Sequence, residues 1–104
     1  MCGLAGVYNL NGKSLPLNQL KKMSDVIGHR GPDGEGYFRK DGVALAHKRL
    51  AILDLSNRGN QPMKSKNGKW VIVFNGCIYN YLELRHELTD LGYKFYSSTD
   101  TEVI

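Results

Sequence analysis

The sequence predicts an α+β fold, because strand-like and helix-like segments alternate along its 104 residues. Residues 69–76 (KWVIVFNG) are almost continuously apolar, which is typical of a strand buried on both faces. Residues 81–92 carry apolar side chains at helical spacing and end in glycine. The Asp41-Gly42 pair lies between two strand-like segments and is a strong hairpin signal. A chain of this length forms one small domain with a modest core.

The chain begins with a predicted strand and a predicted helix. Residues 3–9 (GLAGVYN) predict a short buried strand. Residues 15–28 predict a helix, with Asn18 placed to cap its N-terminus and Gly28 placed to end it. The glycines and proline of residues 29–36 (HRGPDGEG) predict a loop between this helix and the next strand.

A hairpin and a long connection follow. Residues 36–53 predict two strands that turn at Asp41-Gly42. Residues 54–68 are polar and predict a long connection before the apolar strand. Long connections within compact domains are often functional, so this segment is a candidate part of a site.

The last third of the sequence predicts two helix starts. Asn80 and Glu83 have the spacing of a capping box for the helix that starts at residue 81. Residues 93–98 (YKFYSS) predict a short strand. Thr99 and Glu102 form a second capping box, and the sequence stops within the first turn of that helix. Because one turn is not stable alone, we expect the sequence to be cut from a longer protein.

Composition and charge exclude several classes of partner. The net charge is +4, but the basic residues are scattered and form no stripe with aromatic residues, so nucleic acid is not an expected partner. No segment approaches the roughly 20 apolar residues of a membrane span, so no membrane partner is expected. Two cysteines do not form a disulfide framework, which favours a reducing, cytoplasmic location. The three histidines show no metal-ligand spacing, and no metal site is expected.

Cys2 is the first candidate for chemistry. Removal of Met1 would leave a thiol and a free α-amine on the same residue. An unperturbed α-amine can act as a base near neutral pH and activate the thiol beside it. The alternative is a small buried side chain without a chemical role.

Three further positions could complete a site for acyl transfer. Asn75-Gly76 offers a side-chain amide and an unhindered backbone N–H for a developing oxyanion, or it is a plain turn. Arg49 could bind a carboxylate through two parallel hydrogen bonds, or it is an edge-strand charge. Asp100 could face a substrate ammonium group, or it is an acid that complements the dipole of the last helix.

Six motifs occur in a fixed order: MCGLAGV, HRGPDG, LAHKRLAILDLS, GNQPM, VFNGCIYNYLELR and STDTEVI. Over the whole chain they resemble the glutaminase domain of asparagine synthetases, which are class II, N-terminal-nucleophile glutamine amidotransferases. The resemblance implies an αββα sandwich, of which residues 1–104 would be the N-terminal part, with the synthetase domain absent. Without the remaining strands, apolar sheet faces should be uncovered and should favour aggregation or pairing with another chain, for example in a homo-oligomer.

The resemblance implies a reaction. Cys2 would attack the side-chain amide of glutamine to form a glutamyl thioester, and its α-amine would move protons. Asn75 and Gly76 would form the oxyanion hole. Ammonia would leave, and water would then release glutamate.

The resemblance also implies how glutamine is held. Arg49 would bind the α-carboxylate, with Ile52 and Leu53 on the same strand lining the pocket, and Asp100 would bind the α-amino group. The family reads Asn-Gly-Glu where this sequence reads Asn-Gly-Cys. Cys77 cannot supply the charge of that glutamate, so we expect weaker glutamine binding.

The resemblance implies no cofactor in this domain. ATP and Mg²⁺ would serve the absent synthetase domain or subunit, which would add the ammonia to activated aspartate. Two alternatives stay open, an amidotransferase for a different acceptor and a non-catalytic glutamine-binding or interaction remnant. A reversible disulfide between Cys2 and Cys77 is a further hypothesis, against a simple replacement at position 77.

Overall fold

The computed structural model describes all residues from 1 to 104 and has a three-stranded sheet, a two-stranded ribbon and two α-helices. The predicted α+β class is confirmed, and the αββα sandwich stays a prediction. Neither helix combines the length and the apolar character needed to cross a bilayer. The elements are β1 (Gly3–Tyr8), α1 (Leu17–Val26), β2 (Gly34–Lys40), β3 (Val43–Arg49), β4 (Met63–Lys64), β5 (Val71–Ile72) and α2 (Tyr81–Asp90), with 3₁₀ turns at Gly28–Arg30, Asn57–Gly59 and Thr101–Val103.

The main sheet places β3 in the centre, between β1 and β2, with both pairs antiparallel. The predicted hairpin is confirmed, since β2 and β3 are joined at Asp41-Gly42. Asp41 has a positive φ of 52°, a conformation that aspartate tolerates better than most residues. The predicted first strand is also confirmed, as β1.

The two faces of the sheet have different roles. Alternate residues of a strand point to opposite faces. Ala44 and Ala46 of β3 are fully buried and pack with Leu20 of α1 in the core. The side chains of His47 and Arg49 point to the opposite face of β3, where they contact the segments that follow the sheet in sequence. The candidate site therefore lies on the face away from α1.

A buried cation ties α1 to the sheet. Lys48 is 9% exposed and forms an ion pair with Glu35 of β2 and, at 3.5 Å, with Asp25 of α1. The hydrogen bond to Lys48 lowers the pKa of Glu35, and the same bond raises the pKa of Lys48. This pairing orients β3 so that Lys48 faces α1 and its neighbour Arg49 faces away.

The start of α1 differs from the prediction. The helix begins at Leu17 and Pro16 is its N-cap residue, so the expected Asn18 cap is wrong. Asn18 is already inside the first turn, whereas Pro16 has the φ of −58° that suits a residue at a helix start. Gly28 does not end the helix either; α1 ends at Val26 and Gly28 begins a 3₁₀ turn.

The strand predicted for residues 69–76 is much shorter than expected. Only Val71–Ile72 forms a strand, β5, and its residues are half-buried rather than buried on both faces. It pairs with Met63–Lys64, within the connection predicted for residues 54–68. Beyond β5 the backbone of Phe74 is bonded to side chains, so the strand does not continue.

Helix α2 begins and ends at the predicted positions, but the capping bonds predicted at its start are absent. Gly92 has a φ of 96°, and Gly92 and Tyr93 donate backbone hydrogen bonds to Thr89 and Leu88 at 3.0 Å each. This is a Schellman motif, and the glycine end is confirmed. At the other end α2 starts at Tyr81 with Asn80 in the N-cap position, as predicted, but the Asn80 side chain makes no capping bond, so the predicted capping box is wrong.

The expected strand at residues 93–98 is absent. The backbone N–H groups of Tyr96 and Ser97 donate to the Glu102 carboxylate at 2.7 and 2.8 Å, rather than to another strand. Glu102 is thereby unable to serve the capping box predicted with Thr99. The last turn, Thr101–Val103, is 3₁₀ and follows Asp100.

Candidate functional site

Cys2 lies at the Arg49 end of the central strand. It directly precedes β1, which pairs with β3. Its half-buried Sγ accepts a hydrogen bond from the backbone N–H of Leu50 at 3.3 Å, and its carbonyl accepts one from Nε of Arg30 at 3.1 Å. The thiol is therefore held next to the residue that follows Arg49.

The HRGPDG loop closes around the same strand end. Gly31 is buried so tightly against the backbone of Lys48 and Arg49 that a Cβ there would clash. Asp33 donates from its backbone N–H to the Arg49 carbonyl at 2.9 Å and accepts from Ala51 N–H at 2.8 Å. These bonds turn the chain away from the sheet after β3.

The turn after β3 changes the placement of Ile52 and Leu53. They were expected on the same strand as Arg49, but the strand ends at Arg49 and both side chains are exposed. The cause is the bond from Ala51 to Asp33, which takes the backbone out of the ladder. Their role in lining a pocket stays a prediction.

Arg49 is buried, with 6% of its surface exposed. It lies on β3, the central strand, so the alternative of an edge-strand charge is wrong. Nη1 donates to the Ser56 carbonyl at 2.7 Å and to Oδ1 of Asn60 at 3.1 Å, while Nη2 donates to the Asp54 carbonyl. Gly59 lies directly against Nη2, where no side chain would fit. The long connection thus wraps around the guanidinium group.

The Asp54 side chain joins this connection to the C-terminal segment. Its carboxylate accepts from the Ser56 backbone N–H and from the Ser98 backbone N–H, both at 2.8 Å. Hydrogen bonding by the Ser56 hydroxyl, then by these two N–H groups, lowers the pKa of Asp54 to about 2. Asp54 is therefore ionised at neutral pH and fixes the segment that precedes Asp100.

The turn at Asn75, Gly76 and Cys77 is exposed throughout. Its far end is fixed by Asp100, whose Oδ2 accepts from the Ile78 backbone N–H at 2.9 Å. Asp100 is 9% exposed, and it bonds to this turn rather than capping the final 3₁₀ turn with its side chain. The structure therefore brings Asp100 together with the Asn75–Cys77 turn.

The near end of the turn is fixed by two buried side chains. Phe74 donates from its backbone N–H to Oε1 of Gln61 at 2.6 Å, and its carbonyl lies 3.2 Å from Nε2 of His47. Gln61 also donates to Oγ1 of Thr101 at 3.2 Å. A carbonyl only accepts hydrogen bonds, so we assign the Nε2–H tautomer to His47.

His47 is held neutral by its surroundings. The side chain is fully buried, and its Nδ1 has no hydrogen-bond partner. Burial is the main cause that lowers the pKa of His47, and the positive charge of Arg49 lowers it further against the opposing effect of the Phe74 carbonyl. A neutral donor at this position can hold Phe74 without adding a second buried cation next to Arg49.

Sequence reasoning missed His47, Gln61 and Asp54 as functional candidates. The available signals were a histidine between alanine and lysine in an apolar strand and a glutamine inside GNQPM. Neither pattern predicts the hydrogen-bond partner, because that partner, Phe74, lies 27 residues from His47 and 13 residues from Gln61 in sequence. Of the predicted residues, Cys2 and Arg49 share one end of β3, and Asp100 meets the turn of Asn75 to Cys77.

Comparison with known proteins gives a consistent result. A family model described as "glutamine amidotransferase domain" matches residues 1–104. The chain is 44% identical over 107 residues to glutamine-hydrolyzing asparagine synthetase 1 of Bacillus subtilis, covering 100% of this chain and 17% of that protein. It is 38% identical over 105 residues to glutamine-hydrolyzing asparagine synthetase B of Escherichia coli, covering 100% and 19%. It is 35% identical over 116 residues to Amidase chry2 of Gibberella zeae, covering 100% and 17%.

The chain spans less than one fifth of the length of each of these three relatives. The two synthetases confirm the resemblance to the asparagine synthetase glutaminase domain. With a family model matched from the first residue to the last, the chain belongs to the glutamine amidotransferase domain family.

Proposed function

We propose that this chain hydrolyses glutamine to glutamate and ammonia through a thioester on Cys2. The observation that carries the proposal is the bond between Sγ of Cys2 and the N–H of Leu50, at 3.3 Å. It holds the candidate nucleophile beside Arg49, the candidate binder of the substrate carboxylate. The family match over the whole chain supports the same reaction class.

The nucleophile requires removal of Met1, whose side chain is exposed. The freed α-amine then takes the proton from the Cys2 thiol. The N–H of Leu50 at 3.3 Å and the carbonyl of Leu50 at 3.6 Å hold the sulfur in position for attack. The thiolate attacks the side-chain carbonyl carbon of glutamine.

Arg49 can bind the α-carboxylate of glutamine with the donors that the protein does not use. A guanidinium group has five N–H donors. Three of them bind Ser56, Asn60 and Asp54, and Nε–H and one N–H of Nη2 remain. Two donors on one planar group suit a carboxylate, and the three protein bonds together with Gly59 fix the plane of the group.

Asp100 can bind the α-ammonium group. One carboxylate oxygen, Oδ2, is bonded to the Ile78 N–H. The other oxygen is left for the substrate, and the low exposure of Asp100 strengthens a charge-assisted bond there. Cys77 stands where the family has glutamate, so the ammonium group would have one carboxylate rather than two.

Asn75 and Gly76 would receive the developing oxyanion. Each donor of this kind contributes about 3–4 kcal/mol to transition-state stabilisation when it is pre-positioned. His47 and Gln61 hold Phe74, directly before the turn, and Asp100 holds Ile78, directly after it. We therefore assign His47 and Gln61 as positioning residues for the oxyanion turn.

The steps then follow in order. The tetrahedral intermediate collapses, the carbon–nitrogen bond breaks, and ammonia leaves with a proton from the α-ammonium group of Cys2. Water, activated by the same amine, attacks the thioester, and glutamate is released.

The ammonia would serve ATP-dependent asparagine synthesis in a longer protein or complex. This extension rests on relatives named glutamine-hydrolyzing asparagine synthetases. A synthetase domain or subunit would then be the partner, and ATP and Mg²⁺ would bind there. A second candidate is transfer to another acceptor, since one relative is named an amidase and not an asparagine synthetase.

The test is labelling with a diazo-ketone analogue of glutamine, read by peptide mass spectrometry together with ammonia release. The adduct should form on Cys2 in chains that have lost Met1. Cys2→Ala should abolish the adduct and the ammonia release, whereas Cys77→Ser should still carry the adduct on Cys2. Ammonia release that survives Cys2→Ala would refute the thioester mechanism, and binding without turnover in the wild type would favour a non-catalytic glutamine-binding role.

A further inference from the structure

We propose that Asn75 is a site of spontaneous deamidation, and that it deamidates fastest among the asparagines of the folded chain. Asn75-Gly76 is one of three Asn-Gly pairs, beside Asn11-Gly12 and Asn67-Gly68. Glycine favours the reaction because it has no Cβ to hinder the approach of its backbone nitrogen to the preceding side chain. The three pairs share this local chemistry, so the fold decides which of them reacts.

The reaction is internal to the chain. The backbone nitrogen of Gly76 loses its proton to solvent base and attacks Cγ of Asn75. The new bond closes a succinimide ring, the Cγ–Nδ2 bond breaks, and ammonia leaves after taking up a proton from solvent. Water then opens the ring at one of its two carbonyls and gives either aspartate or isoaspartate at position 75.

The Asn11-Gly12 pair is protected by its turn. The N–H of Gly12 donates to the Asn9 carbonyl at 3.0 Å, which opposes loss of its proton. Oδ1 of Asn11 accepts from the Lys13 N–H at 3.0 Å, which fixes the side chain. Reaction here requires both hydrogen bonds to break first.

The Asn67-Gly68 pair is protected in the same way. The N–H of Gly68 donates to the Ser65 carbonyl at 2.9 Å. Oδ1 of Asn67 accepts from the Lys69 N–H at 3.0 Å and from the Ser65 hydroxyl at 2.8 Å. Both the attacking nitrogen and the amide under attack are therefore held in place.

The Asn75-Gly76 pair has no such protection. Both residues are exposed, and the Gly76 N–H makes no backbone hydrogen bond. The Asn75 side chain makes no hydrogen bond within the chain. Hydrogen bonds hold the turn only at its flanks, at Phe74 and Ile78, and the ring of Phe74 packs against Gly76 without bonding its N–H. No hydrogen bond holds the nitrogen or the amide in place, and both residues are exposed to solvent base and water.

The consequence for turnover rests on the proposed function. Aspartate at position 75 replaces an amide donor by an anion that repels the oxyanion. Isoaspartate also adds a methylene group to the backbone and displaces the N–H of Gly76. Loss of one oxyanion donor lowers kcat about 10²–10³-fold, so chains modified at Asn75 should be inactive against glutamine.

The experiment is incubation of the folded chain at mildly alkaline pH in heavy-oxygen water, followed by acid proteolysis and mass spectrometry. Each hydrolysed succinimide gains one solvent oxygen, which separates deamidation during the incubation from earlier damage. The modified fraction at Asn75 should grow several-fold faster than at Asn11 and Asn67. In concentrated urea the three rates should converge, because the protecting bonds are lost.

Equal rates at the three pairs in the folded chain, or a faster rate at Asn11 or Asn67, would overturn the proposal. The same incubation of Cys2→Ala separates it from the proposed function, since deamidation needs no nucleophilic thiol and should be as fast as in the wild type. Glutaminase activity that falls in proportion to the fraction modified at Asn75 would support the functional consequence. Activity that stays constant would contradict that consequence and leave the deamidation result standing.

Discussion

Gln61 accepts a hydrogen bond from the backbone N–H of Phe74 at 2.6 Å, although 13 positions separate the two residues. Gln61 is itself buried, and its Nε2 donates a second hydrogen bond to Oγ1 of Thr101. One side chain thus ties the residue before the oxyanion turn to the segment that carries Asp100. The candidate donors and the candidate binder of the ammonium group are positioned by the same buried amide.

Replacement of Gln61 should uncouple the turn. Gln61→Leu leaves the Phe74 N–H without its acceptor, which should lower the free energy of unfolding by about 1–3 kcal/mol. Because the proposed oxyanion donors Asn75 and Gly76 would act in the transition state, kcat should fall more than KM rises. Urea denaturation and glutaminase kinetics measure the two effects. Gln19→Leu, at an exposed position of α1, is the matched control, and an equal loss in both variants would refute the role of Gln61.

Stability should depend on pH through His47. Its folded pKa lies below the ordinary value of 6.5, so the unfolded chain binds the proton at a higher pH than the folded chain does. The free energy of unfolding should therefore fall as the pH drops below 6.5, until the folded pKa is reached. His47→Gln keeps a donor for the Phe74 carbonyl and removes the titrating group.

Urea midpoints measured on either side of this pH test the prediction. The wild type should lose stability on acidification more steeply than His47→Gln. His29→Gln, at an exposed histidine of the 3₁₀ turn Gly28–Arg30, keeps His47 and is the matched control. A slope that is unchanged in His47→Gln would show that another group causes it.

Restoring an acid at position 77 should tighten glutamine binding. Cys77→Glu adds a carboxylate next to Ile78, the residue bonded to Asp100. A charge-assisted bond contributes about 1.5–3 kcal/mol, which corresponds to a KM lower by about 10- to 100-fold. The acid binds ground and transition states alike, so kcat should change little. Cys77→Gln has the same shape without the charge, and an equal KM in the two variants would exclude an ionic contact.

The contact of Gly59 with Arg49 gives a test of the carboxylate site. A Cβ at position 59 would clash with Nη2 of Arg49 and lie 2.8 Å from Cγ2 of Thr99. Gly59→Ala should displace the guanidinium group, raise KM for glutamine and lower the free energy of unfolding by about 1–3 kcal/mol. Gly28→Ala is the control, since no atom lies within 4 Å of a Cβ at that position. An equal KM for glutamine in the two variants would show that Arg49 does not bind the substrate.

The sequence predicted the elements that local signals determine. Asp41-Gly42 specifies its hairpin because few residues accept the turn conformation, and Gly92 ends α2 for the same reason. Asn18 and Thr99 were wrong as N-cap residues, and Asn80 occupies its N-cap position without the predicted side-chain bond, since many polar residues can cap a helix and the sequence does not show which of them forms the bond. The strand over residues 69–76 was too long because apolar character does not show where a pairing partner ends.

The sequence predicted the candidate site in part. Cys2 and Asp100 were identified from residue chemistry and resemblance, and the structure gives each a specific backbone partner. The positioning roles of His47 and Gln61 could not be predicted, because they depend on which distant backbone groups meet them. Ile52 and Leu53 were misplaced because the bond from Asp33 to Ala51 ends the strand early.

Helix α1 covers only one face of the sheet, and this has a calorimetric consequence. Of 104 residues 17 are buried, and four of these are hydrophobic, while Leu4 and Tyr8 of β1 stay exposed on the other face. Apolar surface that is already hydrated in the folded state adds nothing to the heat capacity change of unfolding. That change should fall below the usual value of about 12–15 cal/mol/K per residue, which flattens the dependence of stability on temperature. Cooling should therefore weaken the chain little.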